Sequence, residues 1–160
     1  MLIRPAPLRP GLAATLGVIV GLVFCGLLLL IRIGLRMSVP EAVRNTDEFR
    51  MAFFLAQIGI AALLQMGVAA LVAGWVKRLG VLHGLFAAFV SGSVMTVGLL
   101  GLNLAFGGTV DLTFAWNTFS QVVNEGALLA LPAAWVVAWL AELARSARGR
   151  LRLLSQEQVA

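Results

Sequence analysis

Of the seven acidic residues in the chain, six fall in loops or at helix ends: Glu41, Asp47, Glu48, Asp111, Glu142 and Glu157. The seventh, Glu125, lies well inside a long apolar stretch. Counted from an apolar boundary near Asn117 at about 1.5 Å per residue, it sits ~12 Å deep. An ionised carboxylate at that depth costs several kcal/mol unless it is paired, hydrated or protonated, which makes it a functional-site hypothesis in its own right. Gln121 lies one turn above it, Asn124 is adjacent, and Ser120 can face Asn124. In an earlier apolar stretch Gln57, Ala61 and Gln65 recur every four residues, and by depth Glu125 falls between the two glutamines. Ser91 and Ser93 stand at a similar level. The residues predicted to hold a ligand or ion are therefore Glu125, Asn124, Gln121, Gln57 and Gln65, near mid-membrane. No basic residue shares that depth, so the acid is expected to be protonated or wetted by a cavity. The competing reading is a hydrogen-bonded clamp between helices, with Glu125 neutral.

Other chemistries fare worse. His83 is the only histidine, with no Cys or carboxylate at ligand spacing, so a satisfied interfacial histidine is expected rather than a metal site. Cys25 is the only cysteine and excludes an internal disulfide. Zinc-protease, phosphate-loop and dinucleotide motifs are absent. Ser91-Gly92-Ser93 suggests an intramembrane serine protease, but His83 is on the same helix, ~12 Å from Ser91 along the axis and beyond hydrogen-bond reach. Aspartyl chemistry needs two carboxylates, and one is buried. The expectation is a protein with no catalytic residue, no cofactor and no metal.

The elements that must position these residues follow from composition. The 160 residues are 61% hydrophobic and 12% charged, with a mean hydropathy of +0.98, whereas a soluble domain carries about 25% charge. A span of the ~30 Å bilayer core takes about 20 residues, so four spans fill the chain. The expected fold class is an all-α membrane protein with four transmembrane helices in a single domain, 1–160. The spans are placed at about 11–31, 51–76, 79–106 and 117–141, followed by a cytoplasmic tail, 142–160. The first run is too long for a signal peptide and meets Arg32 and Arg36 rather than a small-residue cleavage site.

With both termini cytoplasmic, the inner side holds eight basic residues (Arg4, Arg9, Lys77, Arg78, Arg145, Arg148, Arg150, Arg152). The outer side holds four (Arg32, Arg36, Arg44, Arg50), and the positive-inside bias sets that orientation. Trp75, Trp135 and Trp139 near the inner ends, and Phe49, Phe53, Phe54, Phe114, Trp116 and Phe119 near the outer ones, suit interfacial belts. The net charge of +5 flanks apolar runs, where it serves topology and anionic headgroups rather than nucleic acid. Ser38 is expected to cap a short outer interfacial helix over 39–49, with Pro40 in its first turn. The basic tail reads as amphipathic, with Leu143, Ala147, Leu151 and Leu154 opposite Arg145, Arg148 and Arg152. Pro132 is expected to kink the fourth span.

Small residues recur every four positions: Ala13, Gly17, Gly21 and Cys25 in the first span; Gly80, Gly84, Ala88, Gly92 and Thr96 in the third; and, interrupted by Met66, Ala62, Ala70 and Gly74 in the second. In lipid such ridges drive close backbone packing, within one chain or across an oligomer seam. No internal repeat is visible. Two functions remain: a non-catalytic subunit or scaffold of a membrane complex, and a small proton- or cation-linked transporter or channel protomer using Glu125. A lone buried acid invites comparison with the small multidrug resistance transporters, whose acid lies in the first helix of a shorter chain. Here it lies in the fourth, and no family is assigned. Homo- or hetero-oligomers and lipid are the expected partners. Eleven arginines against one lysine point to a GC-rich bacterial genome and the inner membrane.

Overall fold

The computed structural model describes residues 10–76 and 79–157, with the backbone alone over 148–157. Arg4, Arg9, Lys77 and Arg78 lie outside the described residues, as do the side chains of Arg148, Arg150, Leu151, Arg152 and Leu154. All regular structure among the described residues is helical: α1 Pro10–Ser38, α2 Glu41–Arg44, α3 Asp47–Trp75, α4 Gly80–Ala105 and α5 Leu112–Glu157. Four helices are long and apolar enough to cross a membrane, which makes this a multi-pass membrane protein by length and composition.

Helix ends are set by local chemistry that moves several boundaries from the expected ones. α1 runs on past Arg32 to Ser38, because nothing in that stretch breaks a helix until Pro40 pushes Val39 out of the α region. The segment expected as one helix over 39–49 is two: α2 ends at Arg44, and Thr46, extended at φ −69° and ψ 146°, starts α3 by accepting the Phe49 N–H. Ser38 is the last residue of α1 rather than a cap, and α2 follows Pro40 with no side-chain cap. Asp111 moves the start of α5 five residues earlier than expected, since its carboxylate takes the Phe114 N–H at 2.6 Å as an N-cap does. α4 stops at the expected glycines. Gly107 is left-handed at φ +84°, and the N–H groups of Gly107 and Gly108 donate to the carbonyls of Leu104 and Asn103, a Schellman closure.

α3 and α4 form a central pair, α5 packs on both, and α1 lies on the opposite side, mainly against α4. Because hydrophobic force between helices is weak in lipid, close contact between backbones must hold this arrangement. The small-residue ridges supply that contact. A Cβ on Gly17 would stand 2.6 Å from the Ala87 carbonyl oxygen of α4, and one on Gly84 would stand 2.5 Å from that of Ala69 in α3. Both ridges are thus consumed inside the chain.

Side-chain size differs between the two ends. Where α3 meets α4 by the short turn near His83, the core is alanine: Ala69, Ala73, Ala88, Ala130 and Ala134. Toward the other end, where Arg32 sits, it is Phe24, Leu28, Met95 and Leu99. Small residues bring the helices together at the His83 end, and bulky ones hold them apart at the Arg32 end, where three cavities open. All four tryptophans are exposed: Trp116 near the start of α5 at the Arg32 end, Trp75 at the last residue of α3, and Trp135 and Trp139 midway along α5, level with the alanine core of the His83 end.

Candidate functional site

The structure separates the five residues expected to cluster. Gln65 is 1% exposed, and its Nε2 donates to the Val122 carbonyl of α5 at 3.0 Å. Its amide is held between two glycines, Gly92 of α4 and Gly126 of α5, where any Cβ would collide with it or crowd it. Gln65 therefore ties α3, α4 and α5 together at the middle of the bundle. Gln57 is also buried, two turns nearer the Arg32 end, beside a cavity shared with Arg32, Arg50 and Thr118.

Glu125, Asn124 and Gln121 are all exposed on the outside of the bundle. The reason is helical phase. Thr118, Val122, Ala130 and Ala134 are buried with Gly126 between them, so the inward stripe runs 118–122–126–130–134. At 100° per residue, a buried Gly126 turns Glu125 off that stripe. Asn124 Nδ2 bonds Ser120 Oγ at 2.9 Å as expected, but the pair faces outward. No hydrogen-bond or ion-pair partner of Glu125 is found among the described residues. The Gln65–Gly126 contact fixes its depth: Glu125 adjoins Gly126, and Gly92 across from it lies midway along α4. An unpaired carboxylate thus stands on the outer surface of α5 at the mid-level of the bundle. The signal for this was present in the sequence as a fourth small-residue ridge, Thr118, Gly126, Ala130 and Ala134, interrupted by Val122, which outranks the polar neighbours in deciding which face turns inward.

His83 is 8% exposed, and its Nδ1 lies 3.0 Å from the Leu79 carbonyl oxygen, which fits a satisfied histidine. Ser93 and Thr96 donate back to carbonyls one turn earlier in α4. Among the described residues the buried Ser91 hydroxyl has the Met95 sulfur, at 3.9 Å, as its one hydrogen-bond partner. The Cys25 thiol is half-buried and points at the Val94 carbonyl. No group of three or more His, Cys, Asp or Glu residues among the described ones could hold a metal.

A second polar locality lies at the Arg32 end, formed by arginines whose place beside apolar runs predicts topology and contact with anionic headgroups but not their convergence on one cavity. Arg32, Arg36, Arg44 and Arg50 line one cavity of about 470 Å³ together with Asn45 and Asn103. Arg32 and Arg36 are one turn apart on α1, a spacing that puts both on one face and was the available signal.

No known protein family, curated protein or solved structure matches this chain.

Proposed function

We propose that the chain is a non-catalytic subunit or scaffold of a membrane complex that engages another transmembrane segment through the outward face of α5. The observation that carries this reading is Glu125, exposed at mid-level without a partner among the described residues, beside the equally exposed Gln121 and Asn124. A carboxylate facing hydrocarbon is costly, whether ionised or merely unsatisfied, and a donor on a second helix removes that cost. The same face continues through Leu128, Leu131 and Trp135, all exposed, an apolar surface on which a helix can pack. At that level the centre of the bundle is filled by Gln65 and its glycines, which leaves the carboxylate no place in the interior. The positive-inside bias supports both termini cytoplasmic, and eleven arginines against one lysine support a bacterial inner membrane.

The second reading, a proton- or cation-linked transporter protomer, also rests on Glu125. Its outward position then requires a second copy of the chain to enclose the carboxylate.

Gentle extraction from the native membrane, with a photo-reactive residue at position 121 or 128, tests both readings. A stoichiometric heteromeric partner, cross-linked from these positions but not from Ala130 and lost in Glu125→Leu, supports the subunit. A homodimer whose ion flux disappears in Glu125→Gln supports the transporter. A monomer cross-linking only to lipid refutes both.

A further inference from the structure

The arginine cavity at the Arg32 end is separate from the α5 face, and its chemistry points to a different ligand. Each guanidinium there is held by something neutral. Arg32 sits between the rings of Phe53 and Phe106, at 5.8 and 5.6 Å. Arg36 lies over Phe106 at 4.4 Å and reaches its carbonyl oxygen at 3.4 Å. Arg44 donates to the Val39 carbonyl and Arg50 to the Asn45 side chain. The one ion pair among the described residues is Arg145 with Glu142, far away at the His83 end. Glu41, Asp47, Glu48 and Asp111 share the Arg32 end but are exposed, and none of them lines the cavity.

Four like charges converging without a counter-ion repel one another, and much of their donor capacity is unused. The Nε of Arg32 is buried with no hydrogen-bond partner, so its donor is neither solvated nor satisfied. Guanidinium forks match the oxygens of a phosphate. A volume of about 470 Å³ is within the range of ligand sites, roughly 300–1,000 Å³.

A second cavity tells what the phosphate is attached to. Leu35, Phe49 and Phe53 line both the arginine cavity and an adjoining groove of about 250 Å³ between α1 and α3. Apart from Gln57, that groove is walled by apolar side chains such as Leu28, Ile31 and Ile60. A soluble phosphate has no use for such a groove, whereas a hydrocarbon chain fits it. We propose that this paired cavity binds an anionic phospholipid, with the phosphate head among Arg32, Arg36 and Arg50 and one chain in the groove between α1 and α3.

Full-length protein purified in detergent would be titrated with phosphatidylglycerol, phosphatidylcholine or inorganic phosphate, with retained lipid counted by native mass spectrometry. The expected result is saturable retention of one phosphatidylglycerol per chain. Arg36→Gln and Arg32→Gln should each weaken it roughly tenfold or more, the scale of a lost charge-assisted bond. Ala56→Phe, which fills the groove from an exposed position and leaves every arginine in place, should weaken it too. Arg145→Gln, at the other end, should leave it unchanged. Circular dichroism confirms that each variant is folded, and Arg36→Gln, being exposed, keeps the test valid if Arg32→Gln is not.

Three results would overturn the assignment: equal retention of phosphatidylcholine, displacement of lipid by millimolar inorganic phosphate with Ala56→Phe unaffected, or a loss in Arg145→Gln as large as that in Arg36→Gln. Displacement by phosphate would assign the cavity to a soluble anion instead.

Discussion

The slot that receives Gln65 can be tested by filling it from the opposite side. Gly126→Ala places a methyl where the Gln65 amide now lies. The amide can retreat toward α4 only into the space left by the missing Cβ of Gly92, a position 3.0 Å from its oxygen. It must either give up the 3.0 Å bond to the Val122 carbonyl or push α5 outward. Overpacking of this kind costs about 1–3 kcal/mol. Gln65→Ala alone loses the interhelical hydrogen bond, ~0.6–1.7 kcal/mol in membrane proteins, together with the contacts of a fully buried side chain. In the double variant the methyl of residue 126 occupies space vacated by the amide, so the two costs should not add. The double variant should be more stable than the sum of the singles predicts by about 1 kcal/mol, beyond the ~0.3–0.5 kcal/mol scatter of independent sites. Reversible unfolding in mixed micelles, followed by helical circular dichroism, measures all four corners of the cycle. Additivity within that scatter, or a Gly126→Ala variant as stable as the parent, would show that α5 does not seat Gln65 at Gly126 and would remove the argument for the outward position of Glu125.

Three further outcomes follow from features of the fold. Gly107→Ala should cost roughly 1–2 kcal/mol in the same unfolding assay, because its left-handed φ is unfavourable for any residue with a Cβ and open space around it excludes a steric cause. Thr46→Ala removes the exposed cap of α3 and should cost about 0.5–1 kcal/mol, with Thr46→Ser restoring most of it. Gly17→Ala should destabilise by about 1–3 kcal/mol, since its methyl meets backbone in α4, while Gly26→Ala in the same helix, with nothing near it, should be neutral or stabilising.

Much of the architecture could be read from residue order. Four apolar stretches of bilayer length required four helices, and the ridges on the first and third announced which faces would meet. Termini were harder, because they depend on single side chains: Thr46 and Asp111 each start a helix several residues earlier than hydropathy suggests. The candidate site was legible only in part. Depth along a helix can be counted from sequence to within about two turns: Glu125, expected between Gln57 and Gln65, stands at the level of Gln65. The angle around a helix is decided by competition between faces, and the stripe through Gly126 and Ala130 won against Gln121 and Glu125. The arginine cavity escaped notice for a related reason. Residues that flank an apolar run look alike whether they point into water or converge, and only the distances to Phe53 and Phe106 distinguish the two.

The helix of α5 continues from Leu112 to Glu157 through Pro132, which bears no N–H but does not end it, and this makes α5 a ruler along its own axis. Its 46 residues extend ~69 Å at 1.5 Å per residue, so a hydrocarbon core about 30 Å thick covers less than half of it. The same peptide hydrogen bonds then run through two solvents, one that supplies protons for exchange and one that does not. Amide exchange along this single helix should show two abrupt steps, and the number of residues from each step to Glu125 gives the depth of its carboxylate directly.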